Sequence, residues 1–117
     1  MKQILWITLT LLVGCQSTQV FFWGSYEEGL FQEFIEPGAM PPGVRIQQLQ
    51  TEIQQALTEG QHIAPGIYAH IGYLAVIAGD KTSAHKAFEQ EKALFPESSH
   101  FMDHLLLKLI NSTEVKQ

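Results

Sequence analysis

Residues 65–96 read PGIYAHIGYLAVIAGDKTSAHKAFEQEKALFP, and the spacing within this stretch decides the fold. Ile67, Tyr68, Ile71, Leu74, Ala75 and Ala78 recur at three- and four-residue intervals and predict a helix with a broad apolar face. Ala84, Ala87, Phe88 and Leu94 predict a second helix with a narrower face. Pro65-Gly66, Gly79-Asp80 and Pro96 punctuate the pair, and so short a turn makes the two helices antiparallel neighbours. Gly72 and Ala84 are small enough to let the backbones approach, while Tyr68 and Phe88 fill the space beside them.

Helical periodicity continues on both sides. Downstream, Phe101, Met102, Leu105, Leu106, Leu109 and Ile110 predict a last helix over about 98–110, apolar around much of its circumference and so expected to be covered on two sides. Upstream, Ile46, Leu49, Ile53, Ala56 and Leu57 mark one face of a helix over 44–59, with glutamines and Glu52 on the other faces and Gly60 as the stop. Tyr26, Leu30 and Phe34 line one side of a short helix over 26–35. Ser25 with Glu28 offers it a capping box, and Pro37-Gly38 and Pro41-Pro42-Gly43 form the loop after it. Val20-Phe21-Phe22-Trp23 could touch lipid headgroups, but packing as a strap over the core is the expectation, because aromatic side chains dominate small cores.

The first residues are of another kind. Lys2 precedes an apolar run from Ile4 to Val13 that is broken only by Thr8 and Thr10, too short to span a bilayer and fitting a signal-peptide core. Leu12-Val13-Gly14-Cys15 follows and resembles the bacterial lipobox. The resemblance implies cleavage between Gly14 and Cys15 and attachment of fatty acyl chains such as palmitate to the Cys15 thiol. Several chains on one residue hold a protein on a membrane permanently, at about 0.8 kcal/mol per buried methylene. Gln16 stands where retained inner-membrane lipoproteins carry Asp, which implies the outer membrane of a diderm cell, facing the periplasm. As the single cysteine of the chain, Cys15 forms no intramolecular disulfide.

The expected organisation is therefore a signal peptide (1–14), a lipidated tether and aromatic strap (15–25), one all-α domain (26–112) and a short tail (113–117). Losing Lys2 with the signal takes the formal charge from −5 to −6. The remaining cations, Arg45, Lys81, Lys86, Lys92, Lys108 and Lys116, form no basic stripe, which argues against nucleic acid as a partner.

Tyr68, Ile71, Gly72, Ala75, Ala84, Phe88 and Pro96 together resemble the tetratricopeptide repeat, a helix-turn-helix unit of about 34 residues. Two departures stand out: Ala75 replaces the usual aromatic, and Glu91 sits where Ala is usual. Met102, Leu105, Leu106 and Leu109 fall on the first-helix positions of a following unit, so the last helix reads as a C-terminal cap. Leu49, Ile53 and Ala56 suggest a degenerate first unit over the two earlier helices. The resemblance implies a groove whose lining includes Ala69, Tyr73, Val76 and Ile77, with Tyr73 and Val76 as an apolar anchor for a partner.

On a finer scale, Trp23-Gly24-Ser25-Tyr26, Pro65-Gly66-Ile67-Tyr68-Ala69, the run from Glu91 to Ser98, and Phe101-Met102-Asp103 resemble a family of small bacterial lipoproteins grouped as a domain of unknown function. Its members tend to be encoded beside a lipoprotein resembling the curli secretion channel and a second small lipoprotein. The resemblance implies a complex with other envelope lipoproteins and supplies no catalytic residues.

Candidate chemistry is sparse. His100 and His104 have a spacing able to hold a metal but lack further ligands in a recognisable pattern, so no metal or other cofactor is expected. Ser83, Ser98 and Ser99 belong to helix starts, where capping is their expected job, and Glu27-Glu28 opens a helix, where negative charge is favoured. Glu91, expected to point inward, needs a basic or histidine partner or an escape to solvent. The leading expectation is a non-catalytic, membrane-anchored interaction or assembly module of the cell envelope. The competing one is a ligand-binding lipoprotein with a small apolar pocket beside Tyr73.

Overall fold

A computed structural model describes residues 20–114 of the chain; Gly14 and Cys15 lie outside them. Among the described residues there are five α-helices: α1 (Tyr26–Ile35), α2 (Pro42–Thr58), α3 (Ile67–Ile77), α4 (Lys81–Leu94) and α5 (Ser99–Glu114), with a 3-10 turn at Pro96–Ser98 before α5. The chain is all-α. Pro42 and Gly43, expected in the loop, instead open α2, since proline at the first helical position loses no hydrogen bond and has its φ preset for the helix.

The core has two joined parts. Leu49, Ile53 and Ala56 of α2 pack with Ile67, Tyr68, Ile71 and Leu74 of α3 and with Ile63, Ala64 and Ala87. Ala75, Ala84 and Phe88 pack with Met102, Leu106 and Leu109 of α5. Side chains from the last helix thus fill the space that a small residue at Ala75 would leave open. α3 is the central helix, contributing seven buried residues. A Cβ at Gly72 would strike the Phe88 ring, so α3 and α4 cross closely there, as the sequence predicts.

Every expected apolar face has an exposed member, Leu57 (51 % exposed) on α2 among them. Leu94 is 53 % exposed and Ala78 is also exposed, because both lie at helix ends that extend past the crossing. α5 is covered on one side only: Met102, Leu106 and Leu109 are buried, whereas Phe101 and Leu107 face outward. On α1, Tyr26 is half-buried but Leu30 and Phe34 are exposed.

The aromatic strap lies on the core. Phe21, Phe22, Trp23 and Tyr26 pack against the α2–α3 cluster. Phe22 forms an isolated parallel bridge with Ile63: its N–H donates to the His62 carbonyl (2.6 Å) and its carbonyl accepts from the Ala64 N–H (3.1 Å). The strap is held by backbone hydrogen bonds as well as by apolar burial.

Candidate interaction surface

The first turn of α3 has no capping side chain of its own, because its N-cap is Gly66, at φ 95°, a conformation that side-chain-bearing residues rarely adopt. The acceptor comes from α4. Glu91, 2 % exposed, takes a hydrogen bond from the Gly66 N–H on Oε1 (2.6 Å) and one from the Ala69 N–H on Oε2 (3.3 Å). A carboxylate at a helix N-terminus satisfies free amides and is stabilised by the helix dipole. This corrects the expectation of a basic or histidine partner: the backbone of the neighbouring helix receives the charge. Burial and then the Glu91 charge raise the Tyr68 phenol above its ordinary pKa.

α1 is attached by polar side chains. Ser25 makes no capping box, and its side chain makes no cap hydrogen bond. Its Oγ donates to Glu52 Oε1 (2.6 Å) and accepts from Arg45 Nη1 (3.0 Å) and Gln48 Nε2 (3.0 Å), because α2 presents three polar groups to it. Arg45 is 2 % exposed. Its Nη2 donates to the Ser25 carbonyl (2.8 Å), and its guanidinium occupies the space where a Cβ at Gly29 would sit. Burial alone would raise the Glu52 carboxyl; hydrogen bonds from Ser25 and Gln48, with the Arg45 charge, outweigh it and hold the carboxyl below its ordinary range.

A third contact joins α1 to α3. His70 is buried, its ring edge-on to Tyr26 (5.3 Å between centroids) and stacked with Tyr73 (6.2 Å). Glu33 Oε2 lies 3.6 Å from His70 Nε2, too far for a hydrogen bond, and that buried nitrogen has no hydrogen-bond partner among the described residues. Burial first, then Arg45, lowers the imidazole pKa, and the Glu33 carboxylate opposes them in part.

Both of these helices also expose apolar side chains. On α3, Tyr73 is 56 % exposed and Val76 and Ile77 are also exposed, while Ala69 is half-buried and packs against the α4–α5 cluster. Of the four residues expected to line a groove, Tyr73, Val76 and Ile77 are exposed and Ala69 is not. On α1, Leu30, Phe31, Phe34 and Ile35 are exposed, Phe34 most of all at 87 %, and Met40 follows in the loop. Sequence reasoning missed this half of the surface. It also missed Arg45, one polar residue among the glutamines of α2, and His70, a lone polar ring in the apolar α3.

The other candidates are in unremarkable settings. His100 and His104 are exposed on α5, and among the described residues no group of three or more His, Cys, Asp or Glu side chains is placed to hold a metal ion. Asp80 caps α4 through the Ser83 N–H (3.0 Å), so the cap is the acid; Ser98 and Ser99 donate to the Phe95 and Pro96 carbonyls (2.7 and 2.6 Å). A cavity of about 240 Å³ between α1 and α2 is lined by Gly29, Gln32, Glu33, Met40, Arg45 and Gln48 among others, and does not include Tyr73.

No helix among the described residues is long and apolar enough to cross a membrane. No curated protein and no solved structure matches the chain. A family model does: it matches residues 20–105, most of the chain, and the protein belongs to the family described as Domain of unknown function (DUF4810).

Proposed function

We propose that the protein is a lipoprotein, cut before Cys15 and anchored by lipid on that residue in the outer membrane, whose helical domain binds another envelope protein. On this reading, the partner belongs to a complex of envelope lipoproteins, one of them resembling the curli secretion channel, and the module performs no catalysis. The anchoring part rests on Leu12-Val13-Gly14-Cys15 behind a short apolar run.

The interaction part rests on one observation: α1 (Leu30, Phe31, Phe34, Ile35) and α3 (Tyr73, Val76, Ile77), which meet through Tyr26, Glu33 and His70, both expose large apolar side chains. Apolar groups clustered outside a completed core mark binding surfaces. A tetratricopeptide-like array is supported by a repeated device. Gly72 of α3 receives the flat Phe88 ring from α4, and Gly29 of α1 receives the flat Arg45 guanidinium from α2. Each helix pair thus places a planar group over a glycine.

Two experiments test the two parts. Cys15→Ser abolishes incorporation of a labelled fatty acid and leaves the signal-bearing precursor uncut; continued labelling refutes the anchor. Tyr73→Ala weakens capture of envelope proteins about thirtyfold, the equivalent of about 2 kcal/mol for a tyrosine anchor, without lowering the melting temperature. Retained capture excludes this surface, and a collapsed melt makes Tyr73 part of the fold.

A further inference from the structure

A second apolar surface lies at the end of the domain where the chain arrives from Cys15. Phe21 meets Phe95 there edge-on, 6.2 Å between centroids, beside the C-terminal ends of α2 and α4. Val20 is 68 % exposed, Leu57 51 % and Leu94 53 %. A shallow depression of about 440 Å³ among Phe21, Leu57, His62, Ala93, Leu94, Phe95 and their neighbours includes no Asp, Glu, Lys or Arg in its lining. In a chain with twelve acids, such a face is selective.

Position says what covers it. Val20 follows Cys15 by five residues, which reach at most about 18 Å when fully extended at about 3.3–3.6 Å each. Glu59 and Glu97 stand two and three residues beyond Leu57 and Leu94, with no cation between, so a strongly anionic lipid surface would repel this rim while a zwitterionic one would not.

We propose that this end of the bundle docks on a zwitterionic bilayer surface, with Val20, Leu57 and Leu94 entering the headgroup boundary. The proposal rests on the lipid anchor at Cys15. Half-buried aromatics beside exposed aliphatic residues suit that boundary, where one side is apolar and the other wet. The fold then sets the orientation. Val44 and Leu57 lie thirteen residues apart on α2, about 20 Å along its axis, and Ile77 ends α3 far from the Glu91 cap at its start. The C-terminal ends of α1 and α3 project away from the membrane, where a protein partner reaches Phe34 and Tyr73.

Because the Cys15 thiol is acylated on this reading, a new cysteine is the sole free thiol. The full lipidated protein carrying Leu57→Cys, Leu94→Cys or Val44→Cys is labelled with an environment-sensitive fluorophore and added to preformed phosphatidylcholine–phosphatidylethanolamine vesicles containing brominated lipid. Quenching at residues 57 and 94 is expected to exceed that at 44 at least threefold, and to fall when half the lipid is phosphatidylglycerol, while the protein still floats with the vesicles. Flotation with equal quenching at the three positions overturns the docked face but leaves the anchor standing. Labels at 57 and 94 shielded from aqueous iodide yet unquenched by bromolipid also overturn it, in favour of a protein cover. Failure to float overturns the anchor and the docked face together.

Discussion

Replacing Glu91 by alanine removes the carboxylate that accepts hydrogen bonds from the amides of Gly66 and Ala69. Hydrogen bonds to a charged group contribute about 1.5–3 kcal/mol each, and the 3.3 Å bond to Ala69 belongs at the bottom of that range or below. The loss of a favourable helix-dipole contact adds up to about 2 kcal/mol, while relief from burying a carboxylate offsets part of the sum. A net cost of about 2–4 kcal/mol follows, toward the upper end of what single substitutions do. For a domain of this size it corresponds to a fall of roughly 8–32 °C in Tm. Thermal and urea unfolding of the soluble form lacking residues 1–15 measures it. Glu91→Gln keeps the shape and one acceptor and should cost about half as much. It also removes one of the two causes that raise the Tyr68 phenol, so Tyr68 should titrate at lower pH, as followed by ultraviolet absorbance. If Glu91→Ala unfolds within about 0.5 kcal/mol of the parent, water satisfies these amides equally well and the inter-helix cap contributes nothing.

Other expectations follow from the same contacts. Gly72→Leu drives a side chain into the Phe88 ring and should destabilise by about 1–3 kcal/mol or more; an unchanged melt would mean that the α3–α4 crossing is looser than its geometry. Acid should weaken the fold in two stages. His70 has a lowered pKa when folded, so the unfolded chain binds its proton first, and stability falls as pH drops through the ordinary histidine range. Glu52 has a lowered carboxyl pKa, so its contribution is present above the ordinary carboxylate range and disappears as pH falls below it. Urea midpoints measured against pH should lose the first stage in His70→Gln and the second in Glu52→Gln; identical pH profiles for parent and variants would refute the assignment.

The sequence-readable part of this fold is the part written in local periodicity. Tyr68, Ile71 and Leu74 recur as a buried helical face must, and Gly72 stands opposite Phe88 because a small residue and a planar one make a close crossing. What periodicity leaves open is the partner of a polar residue. Glu91 lies 25 residues from Gly66 in sequence, so its role as a cap exists only once α3 and α4 are antiparallel. Arg45 looks like a solvated cation among glutamines until Gly29 and the Ser25 carbonyl close over it. The Leu30 and Phe34 pattern on α1 is amphipathic, but amphipathicity does not say whether the cover is intramolecular. Here α1 turns its polar contacts inward and its apolar residues out. That inversion is the feature most useful for function and the least visible in the sequence.

On the proposed function, α1 and α3 jointly present a protein-binding surface. A photo-crosslinking amino acid placed singly at Phe34, Tyr73 or Gln54 in cells expressing the full chain tests it directly. Positions 34 and 73 should give the same discrete adduct with one envelope protein, and Gln54, exposed on α2, should give none. Adducts that differ between 34 and 73, or an adduct from 54 alone, would contradict a shared surface and remove the basis for the proposed interaction module.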